Sequence, residues 1–120
     1  MKRPRIAAAL ATLAVALTAA PAALAHTHVH HTSIADKASL ATPPASFTVE
    51  FEGKTGLASV SLTDGAGKAV PLAYKPPTDP AASFTIPLPT LAKGSYMLMW
   101  RTIGQDGHAM PGRVSFTITG

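Results

Sequence analysis

The chain has 120 residues, 47% of them apolar and 13% charged, with ten Lys or Arg against six Asp or Glu and a formal charge of +4. No cysteine is present, which excludes disulfide frameworks, zinc ribbons, iron–sulfur clusters and any thiolate metal site. Lys2, Arg3 and Arg5 carry much of the basic excess and the later lysines (Lys37, Lys54, Lys68, Lys75, Lys93) are scattered, so no nucleic acid and no lipid surface is expected as a partner.

Residues 1–25 read as a secretory signal peptide. Met1-Lys2-Arg3-Pro4-Arg5 is a basic head, Ile6 to Ala20 is an apolar stretch, and Ala23-Leu24-Ala25 is a small-x-small cleavage pattern. The apolar stretch ends at Pro21 and falls short of the ~20 residues that span a bilayer, which argues against an uncleaved anchor. Cleavage after Ala25 would leave 95 of the 120 residues, enough for one domain over 26–120. That domain would carry seven Lys or Arg against six acids, close to neutral.

The mature chain would open His26-Thr27-His28-Val29-His30-His31. A free α-amine and an imidazole on His26 form a chelate for a divalent transition metal. Such amines have a pKa of about 7.7 to 8.0, so coordination near neutrality displaces a proton at little cost. A nitrogen and oxygen donor set suits Cu(II) best, with Ni(II) or Zn(II) next.

Beyond this segment the apolar period is two, the signature of half-buried strands. Phe47, Val49 and Phe51 alternate with polar neighbours before Gly53; Ala58, Val60 and Leu62 form a second run. Phe84, Ile86 and Leu88 form a third, where Pro87 argues for an edge or a strand end. Tyr96 to Ile103 is apolar on both faces and is expected to be a central strand with Trp100 in the core. Val114, Phe116 and Ile118 close the chain. Turn signals separate these runs at Thr42-Pro43-Pro44, Asp64 to Gly67, Lys75 to Pro80, Ala92 to Gly94 and Gly104 to Gly112. The expected fold is all-β, a single Greek-key antiparallel β-sandwich.

Asp106-Gly107-His108 holds the one histidine outside the first segment. Residues two apart in an extended stretch point the same way, so Asp106 and His108 could complete a site begun by His26, with Gly104 and Gly112 letting the loop curve over the end of the sandwich. Asp106 has an alternative role as a turn residue capping its own loop. His28 supports a rival geometry, in which the amine, two deprotonated amides and the third-position imidazole bind the metal in a plane. The loop-assisted site is preferred because preorganised ligands reduce the ordering cost of binding. His30 and His31 read as a weak scavenging tail. Met97 and Met99 read as core, and Met110 as a thioether near the site that could help hold Cu(I). Glu50 and Glu52 read as a solvated face, and no Ser-His-Asp arrangement, phosphate loop or dinucleotide fingerprint is found, so no catalytic residue is assigned and no enzyme is expected.

Taken together, several blocks of the chain resemble the CopC periplasmic copper-binding proteins. They are the leader ending before His26-Thr27-His28, Thr42-Pro43-Pro44 ahead of a strand ending Phe51-Glu52, and Leu62-Thr63-Asp64 followed by Gly-Lys. Pro87-Leu88-Pro89, Gly94-Ser95-Tyr96, and above all Trp100-Arg101 followed by Asp106-Gly107-His108 and a Gly-x-x-x-Phe strand complete the set. The resemblance implies a cupredoxin-like or Ig-like sandwich in the periplasm that binds Cu(II) through His26, Asp106 and His108. It further implies sequestration or carriage of copper in copper resistance or homeostasis, or delivery to an inner-membrane, CopD-like copper transport protein. Some members add a Met-rich Cu(I) site near mid-chain; Thr63 to Tyr74 contains no methionine, so that site is expected to be absent. Two alternatives compete with this reading, a histidine-brace copper monooxygenase, which would need an open coordination position, and a metal-independent Ig-like interaction module.

Overall fold

The computed structural model describes residues 28–120, so the signal-peptide expectation for 1–25 and the position of His26 lie outside the described residues. Seven strands make up the regular structure of the described residues: β1 (Val29–Thr32), β2 (Ala38–Leu40), β3 (Ser46–Asp64), β4 (Ala69–Val70), β5 (Ala81–Pro87), β6 (Gly94–Ile103) and β7 (Ala109–Ile118). No helix occurs among the described residues, in keeping with the all-β expectation.

The two runs before and after Gly53 turn out to be one strand. β3 pairs with β1 and β5 through its first half, then with β4 and β6 through its second half. Beyond β6 the second layer continues through β7 to β2. A single strand therefore belongs to both layers and turns the corner between them. The burial pattern explains how: Phe47, Val49, Phe51, Thr55 and Leu57 point inward at odd positions, whereas Val60 and Leu62 point inward at even ones. The phase flips where the register against β6 shifts between Leu57 and Ser59. An extra residue in one strand bends it and re-aims every side chain that follows, because the side-chain period is two. Ala58, expected on the buried face, is exposed for this reason.

The second departure is β2, which runs parallel to β7, pairing Ala38 with Phe116 and Leu40 with Ile118. The sheet is therefore mixed, not wholly antiparallel. The chain reaches this edge through Asp36 and Lys37, the latter at φ 66°. Asp36 Oδ1 accepts the Ser115 N–H at 2.9 Å, and the Lys37 N–H donates to the Ser115 carbonyl at 2.6 Å. Ile34 is buried beneath this crossing.

The core lies between the inner faces of the two layers. Phe47, Val49, Phe51, Phe84 and Ile86 meet Leu62, Leu98, Trp100, Val114, Phe116 and Ile118. The Phe47 and Trp100 rings pack at a centroid distance of 5.6 Å, within the range in which aromatic pairs attract. Trp100 sits directly across from Gly112. A Cβ at Gly112 would lie 2.2 Å from Trp100 Cε2, so this glycine belongs to β7 and makes room for the indole instead of bending a loop. Met97 and Met99 also depart from the expected core position: Leu98 and Trp100 occupy the inward sites of β6, leaving Met97 half-buried and Met99 42% exposed on the outer face.

Candidate metal centre

The hairpin between β6 and β7 carries Asp106 and His108. Its arms are in register from Gly94 opposite Ile118 to Ile103 opposite Ala109. The Gly104 N–H donates to the His108 carbonyl and the Gly107 N–H to the Gly104 carbonyl, each at 3.0 Å, and Gly107 has φ 82°. A short hairpin loop of this kind needs one left-handed residue to close, which glycine supplies without steric cost.

Within this loop the Asp106 carboxylate makes two contacts with one residue. Oδ1 accepts the His108 backbone N–H at 3.0 Å, and Oδ2 lies 2.8 Å from His108 Nδ1. The first contact caps the turn; the second orients the imidazole. The His108 side chain is 75% exposed. With Nδ1 engaged, Nε2 is the ring nitrogen left to coordinate, the arrangement in which metal-binding histidines are commonly held by a carboxylate.

Two buried threonines hold the base of this hairpin, and neither has a signal in the sequence. Thr55, 2% exposed, donates from Oγ1 to the Ile103 carbonyl at 3.1 Å. Thr102, 4% exposed, donates to the Met110 carbonyl across the hairpin at 3.3 Å. The first bond ties the corner of β3 to the residue before the loop; the second ties one arm to the other. Met110 is half-buried in β7 opposite Thr102.

The other histidines among the described residues, His28, His30 and His31, lie on or beside β1. The His28 carbonyl accepts the Glu52 N–H at 3.0 Å, so His28 stands opposite Glu52, three positions before Thr55. β3 is thus a rail shared by the start of β1 and the base of the hairpin. His28, His30 and His31 are all exposed. Among the described residues no group of three or more His, Asp or Glu is gathered around a common point. The structure therefore brings Asp106 and His108 together and leaves His28 apart from them. Glu50 is half-buried and Glu52 exposed, as a polar sheet face requires.

The CopC domain matches residues 29–119. The crystal structure of CopC from Methylosinus trichosporium OB3b superposes with a TM-score of 0.61 at 29% identity, covering 78% of this chain and 94% of that one. The crystal structure of PcoC, a methionine-rich copper resistance protein from Escherichia coli, superposes with a TM-score of 0.56 at 28% identity, covering 79% of this chain and 100% of that one. Its selenomethionine form gives 0.54 at 26% identity, covering 77% and 99%. No match was found among curated protein sequences. With the family match running from the first residue of β1 to just past the end of β7, the chain belongs to the CopC domain family.

Proposed function

We propose that this protein binds Cu(II) in the periplasm and sequesters or carries it, serving copper resistance or homeostasis or supplying an inner-membrane, CopD-like transport protein. The observation that carries this reading is the Asp106–His108 pair, held on a closed hairpin loop. Membership of the CopC family supports copper as the cargo, as do the matches to a CopC and to PcoC, a copper resistance protein.

The proposed ligands are the amine and imidazole of His26, the imidazole of His108 and the carboxylate of Asp106. They follow removal of residues 1–25, which exposes the amine. His28 begins the path along β3, and two residues span at most about 7 Å, a short reach from His28 to His26. His28 also remains a candidate ligand through the amine-based planar mode, but that mode gains nothing from the prearranged hairpin, and the loop-assisted site pays less ordering entropy. Imidazole, carboxylate and amine donors without thiolate fit Cu(II). The role is binding, with Asp106 taking a position that oxygen activation would need open.

One variant tests the site directly. Inserting an alanine between Ala25 and His26 converts the chelating amine into an amide while leaving every described strand untouched. Cu(II) affinity, measured by competition with a chromophoric chelator, should fall by at least about a hundredfold, since loss of a direct ligand exceeds the 10- to 100-fold cost of losing an outer-sphere partner. An unchanged affinity would overturn the assignment, and mass spectrometry of the exported chain reports its first residue.

A further inference from the structure

A register irregularity in β1 has chemical consequences of its own. Val29 pairs with Phe51 and His31 pairs with Glu50, so β1 spends two residues where β3 spends one, and His30 is the extra residue. Cross-strand partners share a face of the sheet. Phe51 and Val49 are buried, which places their partners Val29 and Thr32 on that same side of the sheet, Val29 being 45% exposed at the strand's start, and Glu50 on the outer side. His31, opposite Glu50, therefore lies on the outer side. By alternation from Val29, so does His30. A regular strand would have put adjacent histidines on opposite faces; the bulge puts them on one. His28 and Glu52, joined through the Glu52 N–H, lie on that same outer side.

We propose that the outer face of β1 and β3 is a second divalent-metal site, formed by His30, His31 and Glu50 and independent of the amino-terminal amine. Its donors are two imidazoles and a carboxylate, a set that takes Zn(II), Cu(II) or Ni(II) and offers nothing soft for Cu(I). The three side chains are not gathered around a point without metal. His30 and His31 are exposed and Glu50 is half-buried, so the proposed site requires rotamer changes at the surface to bring the three to a common ion. That ordering makes it the weaker of the two sites. The site lies on β1, which begins one residue after His28, so an ion captured there would be held a few residues along the chain from the proposed amino-terminal ligand.

The test uses Zn(II) and Cu(II) titrations of the exported chain, the alanine-extended chain and a His108→Ala chain, read by calorimetry. The expected result is a weak equivalent present in all three, including the two in which the amine or the hairpin imidazole is removed. In the alanine-extended chain, His30→Ala and His31→Ala should each weaken that equivalent about tenfold or more, and Glu50→Gln by a smaller factor. In amide NMR spectra, Cu(II) at this site should broaden Glu50 and its β5 partner Ser83. Retention of the weak equivalent in a His30→Ala/His31→Ala double variant would overturn the proposal, as would its absence from the alanine-extended chain. Loss of the tight equivalent alone bears on the amine site and leaves this one standing. Both histidines are exposed, so an unchanged thermal midpoint checks that the variants fold.

Discussion

At the scale of single residues, Asp106 has two separable duties, and substitution distinguishes them. Asparagine keeps an oxygen to accept the His108 N–H but loses the charge that faces Nδ1; alanine loses both contacts. Asp106→Asn should leave stability within about 0.5 kcal/mol of the parent and, as the loss of a proposed direct ligand, weaken copper binding by at least about a hundredfold. Asp106→Ala should weaken binding at least as much and cost in addition about 0.5–1.5 kcal/mol for the lost cap, read from urea unfolding. Asp106 and His108 were legible in the chain because an Asp-Gly-His triplet between two apolar runs states both a turn and a donor pair. Thr55 and Thr102 were not. A threonine hydroxyl finds its carbonyl only once a distant strand has been brought beside it, and no local pattern encodes that meeting.

Element by element, the alternation of apolar residues located β3, β5, β6 and β7, because burial on one side imposes a period of two. What the alternation could not show was continuity. The runs from Phe47 to Phe51 and from Ala58 to Leu62 read as separate strands, yet both lie within one 19-residue strand, and the phase change at Ala58 is a bulge in place of a break. The parallel pairing of β2 was equally hidden, since three residues carry no directional signal and the pairing depends on Asp36 meeting Ser115. β7 offers a sharp test of the packing. Gly112→Ala would force a methyl group onto the Trp100 ring, and overpacking of this kind costs about 1–3 kcal/mol. The variant should show a lowered thermal midpoint; an unchanged midpoint would mean that the indole has room to move.

For the molecule as a whole, a small β-fold without a cysteine to form a disulfide relies on its core and on whatever it binds. A ligand that binds only the folded chain stabilises it by mass action, by about 2.7 kcal/mol when present at a hundred times its dissociation constant. Scanning calorimetry should therefore show a higher midpoint with Cu(II) than without, reversed by a chelator, and the rise should shrink in the alanine-extended chain. A single core shared by both layers, with β3 common to each, implies that this shift is seen as one transition.

The niche that Gly112 opens over Trp100 has one more outcome. The chain has one tryptophan, it is 4% exposed, and its partner on β7 stands four residues from His108. Its ultraviolet emission is a built-in optical gauge, free of interference from any other indole. Cu(II), being paramagnetic, should dim that glow in step with occupancy of the hairpin, whereas diamagnetic Zn(II) should leave its intensity nearly constant, so a fluorimeter alone can follow loading.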